Sequence, residues 1–332
     1  MEGTLYQGLI LFLAVWQCSA AVTWRAIGCD GWSFDGTSMD TIWDNAILMA
    51  ANAQSAIQAV PTGVPNPFKD EEKRARGNVN FMFGVSSSVM GIDSDGKQAL
   101  EDARSMYENI EMALRGTLKG FDVNNAFFFC EAHGMTNGIF PGSGKYSMIH
   151  IRFVIKVTNG DATAYIVLSY ATDAGAKQPC STEETSKYEA RTFTVFQYTS
   201  GPPVRFVGVI VCPGRFQEKG KSVVATWPQG FLTVPSRGNK YSSPDDYMSL
   251  AGTLIHEITH VVGRTQGRTY RDHEYEFNRC LDLARTRRQD ALINPDNYRI
   301  YAEMSMSPET RWGAKNPEKR GSGIERKRIE RG

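Results

Sequence analysis

Histidine is scarce in this chain, with five in 332 residues, and cysteine is hardly commoner, with six. No two cysteines form a CxxC pair, so a zinc site built on paired thiolates is not expected. An excess of one charge is lacking too. The formal net charge is +1, which leaves no field strong enough to favour nucleic acid or a membrane surface. Asn-x-Ser/Thr sites are absent, so N-glycosylation is not expected. No apolar run reaches the ~20 residues that a membrane-spanning helix needs. Internal repeats and dividing linkers are also missing. A length of 332 residues and 41% hydrophobic content fit one large domain.

Two of the five histidines stand four apart in Leu254-Ile-His-Glu-Ile-Thr-His-Val-Val262. On a helix, that spacing puts both imidazoles on one face, one turn apart. His256-Glu257-x-x-His260 is thus the HExxH pattern, in which two histidines hold one zinc ion and the glutamate serves a water on it. Such a site needs a third protein ligand and one open position. Water bound there ionises near pH ~7 instead of ~15.7. Ser243-Pro244-Asp245-Asp246 predicts the helix start, with a capping hydroxyl, proline at the first position and acids at the positive end. Gly263 predicts its stop. Tyr247, Leu250, Ala251, Leu254, Ile258 and Val261 form an apolar stripe. The small residues Ser249, Gly252 and Thr253 leave room above the metal on the other side.

The apolar stretch Leu9–Trp16, followed by Cys18-Ser-Ala-Ala21, reads as a secretory signal occupying residues 1–20. A buried first element is the alternative. Removal of the signal leaves Cys29, Cys130, Cys180, Cys212 and Cys280, which predicts two disulfides and one free thiol in a secreted protein, with the pairing open.

Helical spacing predicts helices over 37–60 and 97–119. The charged run Lys69–Arg76 reads as a solvated helix or loop, or a processing site near Lys73-Arg74 or Arg76. Residues 77–96 read as loop-rich. Strands are expected over 22–27, 126–130, 150–157, 162–170, 191–197 and 204–211, with a hairpin turn at Thr158-Asn-Gly-Asp161. Helices, then strands, then the HExxH helix make the fold class α+β, with a mostly antiparallel central sheet. The domain is expected to span 21–307. Residues 308–332 form a disordered basic tail, and Arg311–Gly332 alone carries a net +5.

Several residues compete to be the third ligand. A third histidine in the HExxHxxGxxH pattern would fall at Gln266, a poor zinc ligand, and Met304 and Met306 would then be read as its Met-turn. A glutamate on a later helix would be Glu276 or Glu303. The alternative lies in Thr269-Tyr-Arg-Asp272-His-Glu-Tyr275, followed by Asn294-Pro-Asp296-Asn-Tyr298-Arg299-Ile-Tyr301-Ala302. Together with HExxH, these segments resemble the aspzincin metallopeptidases, the deuterolysin and peptidyl-Lys metalloendopeptidase group of secreted, mainly fungal enzymes. The resemblance is clearest over 250–304. It implies a zincin-like domain with His256, His260 and Asp272 on one zinc per chain, Glu257 as base and Tyr275 at the developing oxyanion. Gly267-Arg-Thr269 departs from the family's Gly-Thr, and Pro295 from its alanine. His273 remains a rival ligand. In lysine-selective members, Asp296 and a second acid three residues on would bind the substrate residue after the cut. Here Arg299 holds the second position and can pair with Asp296, which predicts broad specificity. Asp296 as a mere helix cap is the other reading.

The expected function is that of a secreted, monomeric zinc metalloendopeptidase acting on proteins or peptides, with no nucleic-acid partner and no stable membrane insertion. A catalytically inactive secreted binding or effector protein on the same fold is the alternative.

Overall fold

The computed structural model describes residues 24–66, 68–121, 126–130, 136–139, 150–159, 162–168, 190–198, 204–212, 223–227 and 242–313. The expected signal peptide and the tail beyond residue 313 lie outside them. Among the described residues no helix is long and apolar enough to cross a membrane.

Helix α1, Met39–Gln58, starts where the Ser38 hydroxyl accepts the N–H of Thr41. It buries Ile42, Ala46, Met49, Ala50, Ala53 and Ile57. Helix α2, Asp70–Phe83, differs from expectation in two ways. It runs seven residues into the stretch read as loop-rich, and its Arg76 is only 6% exposed. Asp70, Glu71 and Glu72 favour its positive end, and Arg76 pairs with Glu72 at 2.9 Å. Val79, Met82 and Phe83 are buried, which holds the second half helical, and Gly84 ends it in the left-handed region. A processing site at Arg76 would therefore sit in packed helix. Helix α3, Ser94–Leu114, is capped by the Asp93 carboxylate on the N–H of Gly96 at 2.7 Å.

Seven strands form one sheet: β1 Arg25–Ile27, β4 Ala126–Cys130, β5 Thr136–Ile139, β6 His150–Asn159, β7 Ala162–Leu168, β8 Ala190–Tyr198 and β9 Val204–Val211. A small hairpin, β2 Ser33–Phe34 and β3 Thr37–Ser38, stands apart from it. The sheet order is β1-β4-β9-β8-β7-β6-β5. The β1–β4 and β4–β9 pairings are parallel and the other four antiparallel, so the sheet is mixed. A Cys29–Cys130 disulfide fastens β1 to the end of β4. Cys212 is also disulfide-bonded, and Cys280 is a buried free thiol.

The HExxH helix, α4 Leu250–Thr265, departs from its predicted bounds at both ends. Pro244–Tyr247 is a separate 3-10 turn, and the extended backbone of Met248 separates it from α4. The cap is Ser249, whose hydroxyl accepts the N–H of Gly252 at 2.9 Å. Gly263 does not end the helix. A Cβ there would run into the Tyr270 ring, so the glycine serves close packing instead. Thirteen of the sixteen residues of α4 are buried, so no simple apolar stripe describes it. Gly252 likewise makes room for the Glu303 carboxylate, and not for the space above a metal.

Three further helices follow: α5 Phe277–Thr286, α6 Arg288–Ala291 and α7 Pro295–Ser305. Helix α7 lies against α4 and α1, and the Tyr107 hydroxyl of α3 donates to the Tyr298 carbonyl at 2.6 Å. The packed body runs past the expected end at Ser307. Trp312 is 2% exposed, meets Trp227 and Tyr247 edge-on, and donates its indole N–H to the Met304 carbonyl. A buried indole outweighs the basic character of the residues around it.

Two outcomes are expected. Gly263→Ala gains up to about 1 kcal/mol of helix propensity but overpacks Tyr270, a cost of ~1–3 kcal/mol, so the urea midpoint should fall. Burial pushes the Glu303 carboxyl up to about 7, against the pull of Arg299. The folded state then holds this proton more tightly than the unfolded state, so the contribution is present at low pH and lost as pH rises towards 7. Relative to Glu303→Gln, wild-type thermal stability should decline from pH ~4.5 to ~7 and stay level above.

Candidate metal centre

Helix α4 delivers His256 and His260 to one face, with ring centroids 5.2 Å apart. The loop between α4 and α5 delivers Asp272. Its Oδ1 lies 3.1 Å from His256 Nε2 and 3.0 Å from His260 Nε2. The three ligand atoms fall within 4.8 Å of one another. A tetrahedral zinc with ligands at 2.0–2.1 Å would hold ligand atoms roughly 3.3 Å apart, so the cluster needs little adjustment to accept one. Each imidazole is also held from behind. His256 Nδ1 is 3.1 Å from Asp296 Oδ1, and His260 Nδ1 is 3.2 Å from the Tyr270 carbonyl. A carbonyl only accepts, so His260 carries a hydrogen on Nδ1, and with a metal bound its Nε2 would offer the lone pair. The Asp296 carboxylate selects the same tautomer of His256.

The electrostatics reflect the crowding of acids. Burial works against a charge on His256, but hydrogen bonds to Asp272 and Asp296 outweigh it and raise the pKa to about 10. Burial likewise acts to raise the Asp272 carboxyl, and the two imidazoles hold it well below the usual carboxylate range. The donor set thus favours a positive charge at its centre.

Asp296 and Arg299, read from sequence as substrate-pocket residues, take a different part. Both reach the cleft wall, but each is only 3% exposed. Asp296 Oδ1 faces His256 Nδ1 and accepts Arg299 Nε at 2.7 Å. Its Oδ2 accepts Arg299 Nη2 at 3.0 Å and the Glu276 N–H at 3.1 Å. Four donors fill the roughly four lone-pair sites of a carboxylate, leaving none for a substrate ammonium. Arg299 spends its remaining reach on Glu303, at 2.9 Å. Asp296 does not cap α7 either, since α7 begins at Pro295 and its cap position is Asn294.

Glu257 is 4% exposed and lines the same cleft of about 810 Å³ as the three histidine and aspartate ligand atoms. Its Oε2 accepts the Thr192 hydroxyl of β8 at 2.7 Å. Tyr275 is half exposed, and its ring stacks on His256 with centroids 6.0 Å apart. Burial, and then the Asp272 charge, push its hydroxyl above the ordinary phenol range. The competing ligands lie elsewhere. Glu303 is fully buried on Ser249 and Arg299, Gln266 is the exposed residue after α4, and His273 is not in the cluster. Glu276 lines the cleft without joining the three ligand atoms.

Sequence reasoning missed the supports. Asn294, fully buried, accepts the His273 N–H at 2.9 Å and donates to the Glu274 carbonyl at 2.9 Å, stapling the ligand loop to α7. Asn297 donates to the Met82 and Cys280 carbonyls, tying α7 to α2 and α5. Asp245 accepts the Phe277 N–H at 2.9 Å. The two asparagines stood within a recognised motif that gave no hint of their partners. Thr192 carried no signal at all.

Comparison with known proteins places this centre in context. No curated protein matches the chain. Residues 179–303 match the aspzincin family model, described as lysine-specific metallo-endopeptidase. A solved zinc peptidase from Grifola frondosa is 14% identical, covering 80% of this chain and 92% of its own, with a TM-score of 0.34. The matched segment contains both histidines, the glutamate between them, Asp272 and Tyr275. The residues of the candidate centre thus lie in a segment similar to the aspzincin metallo-endopeptidases, and that segment spans less than half of the chain.

Proposed function

We propose that the protein is a secreted, monomeric zinc metalloendopeptidase that hydrolyses internal peptide bonds of protein or peptide substrates. The observation that carries this reading is the convergence of His256 Nε2, His260 Nε2 and Asp272 Oδ1 beside a buried, cleft-lining glutamate. His256, His260 and Asp272 would hold one zinc per chain, which when bound would supply Lewis acidity and a water that ionises near pH ~7. Glu257 takes the proton of the attacking water and passes it to the leaving amine. Thr192 holds one carboxylate oxygen of Glu257 and so fixes its direction. Tyr275 donates its hydroxyl hydrogen to the developing oxyanion. Asp296 and Arg299 orient His256 from behind.

The filled Asp296 carboxylate supports broad specificity, in contrast to the lysine selectivity in the family description. Mass spectrometry of a digested proteome should show cuts before many residue types; cuts confined to bonds before lysine would sink this part of the reading.

Purified protein should carry about one zinc per chain and lose casein hydrolysis to a chelator. Glu257→Ala should keep the metal and lose roughly 10²–10⁴-fold in turnover. A variant hydrolysing at the wild-type rate would rule out Glu257 as the base. Asp296→Asn should weaken zinc binding by about 10–100-fold in a chelator competition, since His256 loses its charged support. Unchanged affinity would show that Asp296 plays no such part.

A further inference from the structure

Arg264, on the cleft wall, is not used by that mechanism. Arg264 stands seven residues after Glu257 on α4, so the two side chains leave nearly the same face of the helix about 10 Å apart along its axis. Its Nη2 donates to the Thr192 carbonyl of β8 at 3.4 Å, which bridges the helix to the strand at the cleft. That bond is long and leaves most of the guanidinium's five donors uncommitted. Among the described residues Arg264 forms no ion pair, whereas the acids nearest the centre are committed. Glu257 is bound to Thr192, Asp272 to the two histidines, and Asp296 to Arg299 and His256.

Arg191 lines the same wall, one residue from Thr192 on β8. The Glu257 carboxylate attracts the Arg264 charge, and Arg191 repels it more weakly. Glu276, the other acid of the cleft, has its backbone on Asp296 and so belongs to the α7 side.

We propose that Arg264 recognises a substrate carboxylate, so that the cleft prefers acidic segments of a peptide chain. An extended peptide advances ~3.3 Å per residue, which puts that carboxylate about three residues from the scissile bond. The carboxylate is either an aspartate or glutamate side chain or the free C-terminus of a short substrate, and the planar guanidinium suits both. The inference rests on the peptidase reading for its substrate but not for its test.

The experiment uses quenched fluorescent peptides of one sequence. Glu or Gln is placed in turn at each of the positions up to four residues either side of the cut, and the C-terminus is free or amidated. For the wild-type protein, Glu should exceed Gln by about tenfold in kcat/KM at one position, the size of one charge-assisted hydrogen bond. If amidation alone abolishes the preference, the carboxylate read is the chain end; if internal Glu alone matters, it is the side chain. Arg264→Gln should bring the Glu/Gln ratio close to one, Arg264→Glu should invert it in favour of a lysine peptide, and Arg264→Lys should keep part of it. The same peptides are also titrated by fluorescence anisotropy onto zinc-loaded Glu257→Ala protein, where Glu should again bind more tightly than Gln. Equal rates and equal binding for Glu and Gln at every position would overturn the proposal, as would an unchanged ratio in Arg264→Gln. Absence of all cleavage by wild-type protein would count against the peptidase reading alone, because the binding titration still decides the role of Arg264.

Discussion

The buried carboxylate of Asp296 is the constraint on which the rest of the centre depends. A carboxylate that is 3% exposed is tolerable only if its charge and lone pairs are matched. Arg299 supplies the charge, and His256, Arg299 and the Glu276 backbone supply the donors. Each partner belongs to a different part of the fold. His256 is on the helix that carries the ligands, Arg299 on α7, and Glu276 at the end of the ligand loop. Burying one aspartate therefore fixes three segments relative to one another. Glu276 takes a positive φ of 67° where its N–H turns towards that carboxylate, a backbone cost that the hydrogen bond offsets.

The network continues beneath the site. Arg299 passes to Glu303, and Glu303 to the N–H and hydroxyl of Ser249, the cap of the HExxH helix. The start of α4 is thereby tied to the same charges that orient its first histidine. Gly252 is required here, because any side chain would fill the space of the Glu303 carboxylate. On the opposite wall, β8 anchors the glutamate through Thr192, whose own backbone pairs with Val209 of β9. The cluster of His256, His260 and Asp272 thus rests on the helical half of the protein, while Glu257, on the same helix, has its carboxylate held by the sheet. Helix α4 itself keeps Glu257 in register with His256 and His260, and the hydrophobic core shared by α1, α3, α4 and α7 holds that helix in place.

Much of this was open to sequence reasoning, for a definite reason. Patterns with a local period survive without tertiary information. The four-residue spacing of His256 and His260, the helical repeats of 37–60 and 97–119, and the strands at 126–130 and 204–211 are all of this kind. Element ends were less accessible because they answer to partners far along the chain. Gly263 reads locally as a stop, yet the helix continues past it because Tyr270 packs on it. Residues 77–83 read as loop, yet the burial of Val79, Met82 and Phe83 makes them helix.

Sequence by itself determined that one helix can offer two imidazoles to one ion with a carboxylate beside them, because the geometry of a single α-helix is enough to bring them together. It also determined that Arg299 lies within one turn of Asp296 and can neutralise it. Only the tertiary structure decided that Asp272, and not Glu303 or His273, completes the cluster, since these residues reach the centre by chain paths whose ends are set by packing. Only the tertiary structure turned Asp296 from a residue facing substrate into one facing a histidine. Which side of a carboxylate points to solvent depends on what is buried around it, and in this protein a guanidinium, an imidazole and a backbone amide, brought together from separate stretches of the chain, leave it no free lone pair.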